Sequence, residues 1–189
     1  MKPKIAIYLA GTIKKEHETN DTHWGTEELG TLEKALNDYE ITFLNPAFRK
    51  DNLSDQKSVF GRDMLQVYSS DVVFVDARDR RGLGVGAEMM WAKANQKPLV
   101  IWAPQNTHYR KESATILNEV VIDYIHPFVY ALSDQVVATL EEGADWIRTL
   151  PRNDIKDLQY ISETMEYYKA NQLDFDTPMK YFLFAIFSL

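Results

Sequence analysis

Cysteine is absent from the 189-residue sequence, which excludes disulfides, thiolate nucleophiles and cysteine-ligated metals. The four histidines (His17, His23, His108 and His126) show no paired metal-ligand spacing, so no metal is expected. No apolar run approaches the roughly 20 residues of a membrane span. The opening MKPKIAIYLAG runs straight into a strand-like segment with no long secretory h-region, so a cytoplasmic protein is expected. Sustained positive charge is also lacking: 21 Lys and Arg against 28 Asp and Glu leave a net charge of -7. That balance argues against nucleic-acid binding and favours a small-molecule or protein partner. No internal repeat or low-complexity linker interrupts a composition that is 45% hydrophobic and 26% charged. One compact unit is the expectation, with the main body in residues 1–150 and an extension in 151–189.

Four short apolar runs are present: KIAIYLAG (Lys4–Gly11), EITFLNP (Glu40–Pro46), DVVFVDA (Asp71–Ala77) and KPLVIWAP (Lys97–Pro104). Each reads as a buried strand. Between the first two, Leu29, Leu32, Leu36 and Tyr39 recur on one helical face. Helical segments around KSVFGRDMLQVYSS and from the glycine segment to Asn95 fill the next two gaps. Alternating strand and helix predicts an α/β parallel sheet with helices on both faces. After Pro104 the sequence predicts a polar loop, a fifth strand near Phe128–Tyr130, and a helix capped by Ser133 or Asp134. In the tail, Ile155, Leu158, Ile161, Met165 and Tyr168 form a helical stripe, and Pro178 opens an aromatic-rich end. This helical extension would pack on the domain or form a subunit interface.

The segment RRGLGVGAEMMWAK (Arg80–Lys93) sets Gly82, Gly84 and Gly86 at alternate positions ahead of Glu88. It is not the G-x-G-x-x-G of a dinucleotide site, and no G-K-[ST] marks a P-loop. Glycines there let the backbone approach a ligand, and Glu88 in a first helical turn could simply offset the helix dipole. At about 100° per residue, Asp63 falls inside an apolar stripe between Val59 and Val67, where it could bond neighbouring backbone or meet Glu88. Two carboxyls sharing a partly desolvated cleft have their proton affinities pushed apart, giving one ionised nucleophile and one protonated donor. That division of roles suits retaining glycosyl chemistry.

With IYLAGTI closing the first strand, D-x7-D from Asp63 to Asp71, LGVGAE, and HPFVYALSDQVV, the sequence resembles the nucleoside 2-deoxyribosyltransferase family, which includes nucleotide-cleaving N-glycosidases. The resemblance covers roughly residues 4 to 148. It implies a flavodoxin-like, Rossmann-like three-layer fold with a five-stranded parallel sheet. It also implies a double displacement in which Glu88 forms a covalent deoxyribosyl ester and Asp63 assists the departing base. Tyr8 and Gly11 would line the sugar and base pocket, while Gly84 and Gly86 make room for the sugar. The family's sugar-holding aspartate, counted back from Glu88, lands on Gly82, leaving Asp76 and Asp79 as nearby candidates. Arg80 or Arg81 would receive a 5′-phosphate in a nucleotide-cleaving relative, and His126 occupies the place of a residue at the sugar's 5′ end. No cofactor is implied, the substrates are small molecules, and a homo-oligomer completes the pocket. The other readings are hydrolysis of a deoxynucleoside 5′-monophosphate and a non-catalytic nucleotide-binding module.

Overall fold

The computed structural model describes residues 1–13, 22–150 and 155–187, with side chains to 183. His17 and the boundary at Pro151 fall outside the described residues. Five parallel strands form the central sheet: β1 (Lys4–Ala10), β2 (Glu40–Leu44), β3 (Val72–Asp76), β4 (Leu99–Trp102) and, late in the chain, β7 (Gln135–Val137). Their order is β2-β1-β3-β4-β7, the flavodoxin-like arrangement. Every residue of β3 is buried, as expected for an apolar run covered on both faces.

The two faces carry separate cores. On one, α2 (Gln56–Ser69), α3 (Leu83–Ala94) and α4 (Pro127–Leu132) bring Val67, Val85, Met89, Ala92, Val129 and Leu132 against Tyr8, Ala10, Val73 and Val75. On the other, α1 (Thr26–Ala35) and α5 (Leu140–Arg148) pack Leu32, Leu140, Ala144 and Ile147 against Ile7, Leu9, Phe74 and Val100. Asp71 sits at the start of β3, where its carboxylate accepts from Ala6 N at 2.7 Å and its own N–H donates to Ala6 O at 2.8 Å. The second aspartate of D-x7-D thus staples β3 to β1, at the opposite end of β3 from Asp76.

Three expectations change. Phe128–Tyr130 is helical rather than a strand, because Pro127 opens α4 and the Val129 and Leu132 side chains share its buried face. The fifth sheet strand is β7, and the helix after it is capped by Thr139, whose Oγ1 accepts from Glu142 N at 3.1 Å. Ser133 instead ends α4. Asp134 accepts from the buried Lys93 ammonium at 2.5 Å and from Leu99 N at 2.7 Å. The stretch read as a polar loop contains an antiparallel hairpin, β5 (Arg110–Ile116) and β6 (Glu119–Ile125), turning at Leu117 and Asn118, both with positive φ.

The extension forms α6 (Leu158–Asn171) and α7 (Thr177–Phe187). No residue of α6 is buried; Ile161 packs on the core while Leu158 and Met165 stay exposed. Asp134 also accepts from Lys156 N at 2.8 Å, which fastens the extension to the end of α4. Among the described residues, no helix is long and apolar enough to cross a membrane.

A glycine in the middle of α5 runs against helix propensity, and its cause is Phe74: a Cβ at Gly143 would lie 2.3 Å from the Phe74 ring. Gly143→Ala should therefore lower stability by about 2 kcal/mol in urea unfolding, the sign opposite to the roughly 1 kcal/mol gain that propensity alone predicts.

Candidate active site

In an open parallel sheet, the carboxyl ends of neighbouring strands whose connections run to opposite sides leave a crevice. Here that switch point lies between β1 and β3. Tyr8 and Gly11 end one strand, Asp76 ends the other, and α3 starts above them. The sequence places α3 there because Gly82 is its N-cap and LGVGAE is already helical. Two corrections follow. Glu88 is the sixth residue of α3 and lies beyond its first turn, so it does not simply cap the helix dipole. Gly84 and Gly86 belong to the helix rather than a loop, and no described glycine has positive φ. A Cβ at either would meet nothing within 4 Å, so this end of α3 is open around its backbone.

Glu88 is 9% exposed and turns toward Tyr8 and the Asp63 side of α2. Burial, with the Asp63 charge adding to it, pushes the Glu88 carboxyl up to about 7, while the Tyr8 phenol works in the opposite direction. Burial and the Glu88 charge in turn raise Tyr8 well above the ordinary phenol range. Among the described residues, Tyr8 Oη and Glu88 Oε2 are buried without a completed hydrogen bond. Hydrogen-bonding influence from the phenol lowers Glu88 and raises Tyr8, yet the contact falls short of a full hydrogen bond, so each keeps capacity for a third group.

Asp63 lies in α2, mostly buried, and accepts from Arg49 Nη1 at 3.2 Å and from Arg62 Nη1 at 3.4 Å. Burial raises its pKa, and the two guanidinium groups pull it down. Asp63 is thus brought into electrostatic range of Glu88. Burial is the largest influence on both carboxyls and raises both; at Asp63 the two facing guanidinium groups offset part of that rise, whereas the Asp63 charge adds to it at Glu88. Arg49 is itself held by Asp51, through Nε at 2.8 Å and Nη2 at 2.5 Å. Arg62 reaches across to donate to Phe48 O at 2.8 Å.

Asp76 is 0% exposed and already engaged. Arg78 donates to it from Nε and Nη2, both at 3.0 Å, and Arg81 Nη2 lies 2.9 Å from Oδ1. Arg81 is 3% exposed and donates to Thr12 Oγ1 at 2.6 Å and to the Asp76 carbonyl, while its backbone N–H donates to Tyr109 Oη at 2.8 Å. It is neither a solvated loop residue nor a guanidinium left open for a phosphate. Arg78 continues the network to Glu28 at 2.9 Å and stacks 3.9 Å from the Trp102 ring centroid. Asp79 and Arg80 are exposed on the loop, where Asp79 accepts from Arg80 N at 2.6 Å. Asp79 is not gathered with Glu88.

Two cavities flank this edge. One of about 350 Å³ is lined by Leu9, Gly11, Thr12, Trp24, Asn45 and Phe48, among others. Gly11 lets the strand end pass close to Trp24, since a Cβ there would lie 3.1 Å from the indole and press on it. The loop after β2 joins this cavity to the carboxyl pair: Asn45 and Phe48 line it, and Arg49 holds Asp63. The second, about 800 Å³ and mostly apolar, lies against α3 and is lined by Val85, Gly86, Met89, Phe128, Ile161 and His126. His126 is the N-cap of α4, with Tyr109 and Phe128 rings beside it, and burial lowers its pKa. The structure puts Gly86 and His126 at that cavity, whereas Glu88 faces Tyr8.

Sequence reasoning missed Arg49, Arg62, Trp24 and Asn45. Arg62 carried a usable signal, lying next to Asp63 in a helix. Arg49, Trp24 and Asn45 sit in loops or at element ends, where no periodicity marks a side chain as inward.

The sequence matches no protein-family model and no curated protein. Solved structures do share the fold. A conserved protein from Enterococcus faecalis is 19% identical, with a TM-score of 0.56, over 79% of this chain and 99% of its own. The 2-deoxyribosyltransferase from Bacillus psychrosaccharolyticus is 17% identical, with a TM-score of 0.51, over 80% and 98%. The 2-desoxiribosyltransferase from Leishmania mexicana is 16% identical, with a TM-score of 0.54, over 78% and 99%. This chain therefore has the fold of solved 2-deoxyribosyltransferases.

The Glu88 geometry makes a stability prediction. A carboxyl raised on folding binds its proton more tightly in the native state, so its ionisation opposes folding once pH exceeds the unfolded value near 4.5. The penalty grows to its full size above about 7. Glu88→Gln should therefore stabilise the protein by roughly 3 kcal/mol at pH 8, with the gain vanishing below pH about 4, as read from urea unfolding across pH.

Proposed function

We propose that the protein is a nucleoside 2-deoxyribosyltransferase, exchanging the base of a 2′-deoxyribonucleoside through a deoxyribosyl ester on Glu88. The observation behind this reading is one buried glutamate facing Tyr8 and Asp63 at the sheet's switch point. The shared fold of solved 2-deoxyribosyltransferases supports it.

In its ionised form, Glu88 attacks the anomeric carbon through an oxocarbenium-like transition state. The C–N bond breaks, its electron pair goes to the leaving base, and that base takes up a proton. A nitrogen of the acceptor base then attacks the same carbon from the face just vacated. The ester bond breaks, Glu88 regains its charge, and the acceptor's surplus proton leaves. Asp63, set between burial and two guanidinium groups, orients the base and relays this proton. Tyr8 favours the ionised form of Glu88 and aligns it. The carboxyls perform the chemistry without a cofactor, and the pocket is completed in a homo-oligomer. Cleavage of a 5′-monophosphate is the second reading: Arg81, one of the two arginines expected to receive the phosphate, is committed to Asp76 and Thr12, which leaves the exposed Arg80.

Incubating the protein with 2′-deoxyinosine and free adenine should yield 2′-deoxyadenosine by chromatography. Glu88→Ala should reduce the rate at least about a thousandfold, since no neighbouring group replaces the nucleophile. An active Glu88→Ala protein would sink the mechanism. Release of free base from deoxynucleoside 5′-monophosphates alone would move the assignment to hydrolysis.

The nucleophile must be ionised, so kcat/KM should climb through an acid limb near pH 7. In Tyr8→Phe the limb should shift upward, because the group lowering the Glu88 pKa is gone. A limb left at its wild-type pH would refute this role for Tyr8.

A further inference from the structure

Asn45 immediately follows β2, lines the 350 Å³ cavity and is only 4% exposed. Its Oδ1 accepts from Ala47 N at 2.9 Å, and its carbonyl accepts from Phe48 N at 3.0 Å. The Ala47 bond fixes which end of the amide is oxygen. Nδ2 is left buried with no hydrogen-bond partner among the described residues. An unmade buried donor costs about 1–3 kcal/mol, and a single-turn loop could easily replace Asn45 with a residue free of that cost.

The surroundings narrow what the donor serves. Trp24 is buried, donates its indole N–H to Ala10 O at 2.9 Å and packs edge-on to Phe74, so it offers the cavity only its ring. Pro46 and Phe48 add further flat apolar surface, and among the described residues no lysine or arginine lines the cavity. Thr12 Oγ1 already accepts from Arg81, which leaves its hydroxyl hydrogen free to donate. Flat walls suit a planar heterocycle, and the buried Asn45 Nδ2 donor suits a ring carbonyl.

We propose that Asn45 is a specificity-determining residue whose Nδ2 donates to a ring carbonyl of the nucleobase, so that keto bases are preferred over amino bases. The proposal rests on the transferase reading above for the identity of its ligand. At the same ring position an exocyclic amine would place donor against donor, whereas a carbonyl completes the buried amide. Asn45→Asp keeps the oxygen that accepts from Ala47 and replaces the free donor with an acceptor. Asn45→Leu removes the donor and offers nothing in its place.

The test is calorimetric titration of free hypoxanthine and free adenine, purines that differ at this position, into wild type and both variants. Turnover of 2′-deoxyinosine and 2′-deoxyadenosine is measured alongside. Wild type should bind hypoxanthine about tenfold more tightly, Asn45→Asp should reverse the order, and Asn45→Leu should bring the ratio near one. Equal or tighter binding of adenine to wild type overturns the proposal whether or not the variants fold, as does binding of neither base. A hypoxanthine preference unchanged in a folded variant overturns it too. Absence of base exchange with the binding preference intact defeats the transferase reading alone. Base exchange without keto preference defeats only the role of Asn45.

Discussion

The end of β3 is organised by one buried ion cluster, and the candidate site depends on it. Asp76 is fully enclosed and, together with Glu28, balances Arg78 and Arg81, so loss of either arginine leaves one carboxylate of the cluster uncompensated. Arg81 carries the constraint to Thr12 at the exit of β1 and to Tyr109 before the hairpin, and Arg78 carries it to Glu28 at the start of α1. The short loop from Ala77 to Gly82 therefore has its two ends tied, which sets where α3 begins and hence where Glu88 lies. A residue that sequence spacing offered as a sugar ligand instead builds the frame.

Within that frame, Glu88 is held at a cost. Its burial makes ionisation near neutral pH a balanced event, and the fold tolerates this because the surrounding core of Tyr8, Val67, Val75 and Met89 is continuous. Asp63 differs in having two guanidinium groups that offset part of the rise its burial causes. The asymmetry between two carboxyls so near each other comes from their elements: the loop after β2 and the α2 helix supply cations, whereas α3 supplies none on the Glu88 side. The same loop shapes the Trp24 cavity through Asn45 and Phe48, so base recognition and carboxyl chemistry would be coupled over a few residues of chain.

Where the hydrophobic pattern was strong, local reading and structure agree. The four early strands and the helices between them lie where apolar runs and periodic stripes put them, since burial on both sheet faces demands that pattern. The reading failed where competing physics was local. Pro127 turned an apolar run into α4, and the true fifth strand is only three residues long. The hairpin is exposed on both sides, so its residues carry no clear inward and outward alternation.

By itself, the sequence determined the α/β class, the strands that fill the sheet and the presence of two carboxylates on helices beside β3, because periodic burial is written directly into residue order. It also carried the glycine that caps α3 and the glutamate within that helix. Only the tertiary structure decided which polar groups meet. The pairing of Asp63 with Arg49 and the enclosure of Asp76 and Arg81 join residues from separate elements, and only the structure shows Asn45 Nδ2 buried without a partner among the described residues. Proton affinity and hydrogen bonding depend on distance and desolvation in space, to which neighbours in sequence are blind.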